Sequence, residues 1–212
     1  MKHCVIFCAG NFDGLLAPLE KDDYLIGADG GLLHLTALGF VPHHVLGDFD
    51  SLGYVPAGAS AFPVEKDDTD TMLAVRHGLE RNYKQFLLYG SLDGKRLDHT
   101  VANFQTLAFL ADRGARGYLI GKDYIVTVIK NGSLSFRSGV TGTVSVFCMG
   151  QDAEGVTLEG LKYPMNNGTL SAGFPLGVSN RFTGGPARIS VENGSLLVLF
   201  PRENHGDCED LL

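Results

Sequence analysis

The chain has no apolar run approaching the roughly 20 residues a helix needs to span a bilayer. Its opening, MKHCVIFCAGNFDG, holds an apolar stretch too short for a secretory leader, and a glycine turn follows; a cytoplasmic protein is expected. Basic residues are scarce. Seventeen Lys and Arg against 24 Asp and Glu leave a net charge of −7, which argues against nucleic acid or an anionic membrane as partner. A chain this acidic could still bind a polyphosphate, with Mg²⁺ masking the repulsion. The four cysteines have neither CxxC spacing nor a paired framework, and Cys4 and Cys8, in an apolar run, read as reduced and buried. There is no GxGxxG. GSLDGKR (90–96) fails as a phosphate-binding P-loop, with three residues between its glycines instead of four and Arg96 where Ser or Thr belongs. No Ser/His/Asp or Cys/His nucleophile set, internal repeat or low-complexity linker is legible, and His43-His44 reads as a loop pair.

What is present falls into two grammars. With 212 residues, 44% apolar and 19% charged, the chain can form one large domain or two modest ones. Residues 1–125 alternate continuously apolar strand candidates (3–10, 23–31, 43–50, 61–65, 85–90, 117–121) with helical patterns. In the last helical pattern Val101, Phe104, Ala108 and Ala111 fall on one stripe, with Gly114 as C-cap. This half is expected to be an α/β domain, a mostly parallel sheet with flanking helices. Residues 126–212 read as an all-β antiparallel sandwich of short alternating strands. Three Asn-Gly pairs there, at 131–132, 167–168 and 193–194, signal hairpin turns. The acidic tail ENHGDCEDLL is expected to fray.

Ligands of open α/β sheets bind outside the carboxyl ends of the strands. The strand tips here read Ala9-Gly10-Asn11, Asp29-Gly30-Gly31, Gly47-Asp48-Phe49-Asp50-Ser51, Lys66-Asp67-Asp68-Thr69-Asp70 and Gly90-Ser91-Leu92-Asp93-Gly94. Five tips deliver glycine, carboxylate or hydroxyl to one edge. Asp48 and Asp50 are two apart, which in a strand aims both at one spot. No Lys or Arg lies within ten residues of VLGDFDSLG (45–53), so a divalent metal is the first guess for their counter-charge. Each piece also has a plainer explanation. Asp29-Gly-Gly could be a turn into a helix, Asp48 and Asp50 could make Asx turns, and Thr69 or Asp70 could cap the following helix. Arg96, Asp98, His99 and Asn103 could be a capped helix start with a satisfied histidine. Together they suit Mg²⁺-dependent phosphoryl or nucleotidyl transfer: hard oxygens for the ion, arginine for developing charge.

ADGG (28–31), GDFDS (47–51), KDDTD (66–70), GKRLDHTVAN (94–103), GLKYPM (160–165) and GVSN (177–180) resemble, in order and spacing, the motifs of thiamine pyrophosphokinases. The resemblance implies a catalytic α/β domain, a sandwich domain that takes thiamine, and a homodimer with the thiamine site at the subunit interface. It implies Mg²⁺-dependent transfer of a pyrophosphoryl group from ATP to the hydroxyl of thiamine, giving thiamine diphosphate and AMP. Asp48, Asp50 and Asp70 would form the acidic metal centre, with Asp98 catalytic beside them. Gly10, Asn11, Asp29, Gly30, Lys66, Asp67, Arg96, His99 and Asn103 would hold the nucleotide. Tyr163, Ser179 and Asn180 would meet the vitamin. Some members have tryptophan where this chain, which has none, carries Tyr163. A metal-dependent phosphohydrolase and a non-catalytic thiamine- or nucleotide-binding regulator are the rival readings.

Overall fold

The apolar runs of the first half are strands that bury nearly every residue, as a sheet covered on both faces requires. A computed structural model describes residues 2–50 and 52–211, so Ser51 of the GDFDS segment lies outside the described residues. The chain divides into two compact units, Met1–Thr106 with Gly114–Lys122, and Leu107–Arg113 with Asp123–Leu212.

In the first unit β1 (Cys4–Phe7), β2 (Tyr24–Ala28), β3 (His44–Gly47), β4 (Ser60–Ala61), β5 (Gln85–Tyr89) and β6 (Arg116–Ile120) run parallel, in the order β6-β5-β1-β2-β3-β4. The expected strand at 61–65 shrinks to β4, because Pro63 cannot donate to a ladder. Strand order reverses at β1, whose neighbours are β2 and β5. The register aligns Phe7 with Gly27 and Tyr89, and Ala28 with Leu46, so the carboxyl ends finish level. That is the crevice where α/β sheets bind ligands.

Between the strands lie α1 (Gly31–Ala37), α2 (Asp70–Glu80) and α3 (Leu97–Ala111). Gly31 is required by close approach: a Cβ there would sit 1.8 Å from the Phe7 carbonyl oxygen. Thr69 caps α2 by accepting the Met72 amide at 3.1 Å. The stripe expected on α3 lies beside the buried face: Val101 is 51% exposed and Phe104, Ala108 and Ala111 are half-buried, while Asn103, Thr106, Leu107 and Leu110 are buried. Two of those are polar but bonded, Thr106 Oγ1 to the Ala102 carbonyl and Asn103 Nδ2 to the Ser91 carbonyl, so apolarity misplaces the face.

The second unit has two antiparallel sheets. One runs β12 (Asn180–Arg181), β9 (Thr143–Cys148), β14 (Ser195–Pro201), β7 (Tyr124–Lys130); the other β11 (Met165–Leu170), β10 (Ala153–Glu159), β13 (Ala187–Ser190), β8 (Ser133–Phe136). Phe136 of one sheet meets Phe200 of the other edge-on, ring centroids 5.1 Å apart. None of the Asn-Gly pairs closes the expected hairpin. Asn131-Gly132 and Asn193-Gly194 carry the chain from one sheet to the other and bind each other, the Gly194 amide donating to Asn131 Oδ1 at 2.9 Å. Asn167-Gly168 lies within β11, opposite a register shift. As far as Leu211 the tail does not fray: Cys208 and Leu211 are buried, Cys208 forms a β-bridge with Phe136, and Asn204 brackets the Thr141 backbone.

Candidate active site

The acidic pair converges for a reason other than strand pleat. β3 ends at Gly47, and the chain turns through Phe49, buried with φ 59°, before reaching Asp50. A positive φ is costly for an aromatic residue and recurs where surrounding structure enforces it. Asp29, at the tip of β2, also has a positive φ of 47°, and its amide donates to the Leu46 carbonyl at 2.8 Å. Asp29, Asp48 and Asp50 each offer one carboxylate oxygen, and these oxygens lie within 4.8 Å of one another. Three hard oxygen donors fit Mg²⁺ and give a thiolate- or imidazole-seeking metal nothing to bind.

The basic partner missing from the local sequence comes from farther along the chain. Lys66 Nζ donates to Asp48 Oδ2 at 2.7 Å. Asp70 Oδ1 lies 3.2 Å from the same ammonium, an ion contact without hydrogen-bond alignment. Asp70 thus joins the acidic group through Lys66, while Asp29 completes the oxygen triad. The Lys66 hydrogen bond holds the Asp48 carboxyl below the usual range, against the opposing effect of burial. Burial raises Asp70, only partly offset by Lys66. Burial alone would lower Lys66, but its contacts with both aspartates outweigh it and the ammonium is held more firmly. Asp67 is exposed beside this pair, and Asp68 binds Arg76 at 3.0 Å.

Gly10 donates its amide to the Gly90 carbonyl at 2.9 Å, and a Cβ on it would come within 2.5 Å of that oxygen. The loops after β1 and β5 thus meet through glycine at the point of strand reversal. Asn11 is exposed next to it, and Gly30 is buried at the start of α1. Arg96 and Asp98 form an exposed pair, Nη2 to Oδ2 at 2.6 Å, and Arg96 holds the Asp98 carboxyl down to about 2. His99 is exposed. Asn103, four residues on, is buried, and its bond to the Ser91 carbonyl at 2.6 Å ties α3 to the loop after β5. Thr100, which sequence reasoning passed over, adds to that tie by donating to the Leu92 carbonyl, and Ser91 Oγ donates to the Leu88 carbonyl within the loop.

In the second unit the GLKYPM and GVSN segments come together. Asn180 is buried; its Oδ1 accepts the Tyr163 and Arg181 amides at 3.0 and 2.8 Å, and its Nδ2 donates to the Tyr163 carbonyl at 2.7 Å. Asn180 is therefore a clamp on Tyr163, whose ring stands 59% exposed with Lys162 Nζ 5.3 Å from its centroid. Ser179 is exposed with φ 58°, its amide held by Ser145 Oγ at 3.0 Å.

A parallel sheet gathering carboxylates at its carboxyl edge is the arrangement of nucleotide-using α/β enzymes. Models of the thiamin pyrophosphokinase catalytic domain and vitamin B1 binding domain match residues 16–119 and 133–196, together well over half the chain. The chain belongs to the thiamin pyrophosphokinase family of enzymes. It is 29% identical over 183 residues to the thiamine pyrophosphokinase of Bacillus subtilis strain 168, spanning 82% of this chain and 85% of that one. A thiamin pyrophosphokinase structure from Geobacillus thermodenitrificans superposes with a TM-score of 0.77 at 26% identity, covering 95% of this chain and 97% of that one. A thiamine pyrophosphokinase structure from Bacillus subtilis shares the fold at a TM-score of 0.80 and 23% identity, covering 95% and 99%. Among the described residues no helix is long and apolar enough to cross a membrane.

Proposed function

We propose that this chain makes thiamine diphosphate and AMP from thiamine and ATP in the cytoplasm, with Mg²⁺ at the acidic edge. Residues 1–125 act as the catalytic α/β domain and residues 126–212 as the antiparallel sandwich that takes the vitamin, in a homodimer whose thiamine site lies at the subunit interface. The gathering of Asp29, Asp48 and Asp50 at one sheet edge, in a chain matched by both models of the family, carries this reading.

Bound Mg²⁺ would neutralise phosphate charge and align the displacement. Asp48 and Asp50 would hold it, with Asp29 beside them and Asp70 linked through Lys66. Gly10, Asn11 and Gly30 would line the nucleotide at the loops after β1 and β2, Arg96 and Lys66 would offer cations to its phosphates, and Asp67, His99 and Asn103 border or brace the same loops. In the reaction the thiamine hydroxyl oxygen bonds to the β-phosphorus. The bond from that phosphorus to the oxygen bridging the α-phosphorus breaks, and its electron pair leaves with AMP. The hydroxyl proton passes to a carboxylate. Asp98, held near 2 by Arg96, is too weak a base; Asp70, raised by burial, suits the task better. Tyr163 would stack on the thiazolium, a cation taking up the ring face that Lys162 now approaches. Ser179 would approach the polar ring of the vitamin, while Asn180 keeps Tyr163 in place.

ATP labelled at a single phosphorus tests this. A β label should appear in thiamine diphosphate and an α label in AMP; an α label carried into the thiamine product would contradict attack at the β-phosphorus.

A further inference from the structure

Asp48 serves two neighbours at once. Its Oδ1 accepts the Asp50 amide at 3.3 Å, and its Oδ2 accepts Lys66 Nζ at 2.7 Å. On one side it belongs to the oxygen triad with Asp29 and Asp50. On the other it shares Lys66 with Asp70, while the Pro63 carbonyl lies 3.1 Å from the same ammonium. The Lys66, Asp48 and Asp70 side chains are 14%, 12% and 21% exposed, so water screens this group poorly. A divalent ion in the triad and the ammonium on Asp48 Oδ2 would place two cations on one carboxylate. Their repulsion at such range is several-fold stronger than in bulk water.

We propose that Lys66 is an exchangeable internal cation: it holds Asp48 and Asp70 together in the metal-free protein and leaves Asp48 when a divalent metal binds. The inference rests on the metal reading of this site given above. It explains why a lysine distant in sequence is folded back over the pair, where an empty acidic edge would otherwise repel itself. Once released, its flexible stem leaves the ammonium free to meet a phosphate oxygen as a point charge.

Mn²⁺ is the probe, titrated without nucleotide and followed by electron paramagnetic resonance of the free ion, in the unaltered protein and in Lys66→Gln. Lys66→Gln should bind Mn²⁺ about tenfold more tightly. Its metal-free form should melt lower than the parent, with the gap closing as Mn²⁺ is added. Equal or weaker Mn²⁺ binding by the variant would overturn the proposal and make Lys66 a fixed brace of the carboxylates. Failure of both proteins to bind Mn²⁺ would overturn the metal reading itself, and the exchange with it. Should Lys66→Gln not fold, acylation of Lys66 in the unaltered protein, read by mass spectrometry, should speed up with saturating Mn²⁺. An unchanged rate would overturn the exchange.

Discussion

β3 and α2 each join two unlike ends of the first unit. At their amino-edge ends, His44 and His77 stack as parallel rings 4.0 Å apart. Tyr24 stacks on His43 and Tyr83, and Arg81 lies 5.1 Å from the centre of the Tyr24 ring. Arg81 Nε donates to His77 Nε2 at 2.9 Å, which fixes that imidazole as neutral. At the other ends stand Asp48 and Asp70, bridged by Lys66, with positive φ at Asp29 and Phe49 close by. One edge uses stacked rings satisfied by one another and by Arg81. The other gathers charge and positive-φ backbone. Under the proposed function the same two elements hold at one end and act at the other.

The sharpest break of that contrast is Asp48→Asn. If the carboxyl edge acts, turnover should fall on the order of 10³-fold, in steady-state assays with thiamine and ATP, while nucleotide binding changes modestly. A binding module would show only the modest change. Asn180, expected from the family resemblance to meet the vitamin, also clamps the Tyr163 backbone. Asn180→Ala removes the partner of the Tyr163 amide and carbonyl, bonds of 3.0 and 2.7 Å, and should cost about 1.5 kcal/mol in denaturant unfolding, with KM for thiamine rising alongside. Tyr163→Ala, by contrast, should leave stability within about 0.5 kcal/mol and raise KM for thiamine by about tenfold at nearly constant kcat. The smallest effect belongs to the amino edge. Burial lowers His44 and His77 from the ordinary 6.5, with Arg81 adding to it. The unfolded chain therefore takes up these protons first as pH falls. Their contribution to stability is complete above 6.5 and is lost as pH drops through the lowered folded values. His77→Phe should flatten the loss of stability between about pH 7 and 5 and leave turnover unchanged, as thermal melts and assays across that range would show.

The parallel strands were legible because burial on both faces imposes unbroken apolar runs, and the glycine and carboxylate tips followed from where those runs stop. Other features depend on distance or on polar groups satisfied out of sight. Lys66 pairs with a residue 18 positions away, and no local pattern announces that. The buried face of α3 includes Asn103 and Thr106, which read as surface until the carbonyls they bond are in place. The Asn-Gly turns announce a left-handed bend but not which sheet the chain enters next. His44 opens β3, inside the strand candidate at 43–50, and the loop-pair reading of His43-His44 misses its stacking partner because that partner lies on α2. Low apolarity and net acidity suggest a frayed tail, yet Cys208 and Leu211 supply enough buried surface to seat it.

Whether the carboxyl edge performs metal-dependent pyrophosphoryl transfer, as proposed, is decided by separating the products formed from ATP, thiamine and Mg²⁺, with a matched chelator control. Equimolar AMP and thiamine diphosphate are expected, lost when the metal is chelated. ADP with thiamine monophosphate, or phosphate released with thiamine unchanged, would contradict the proposal.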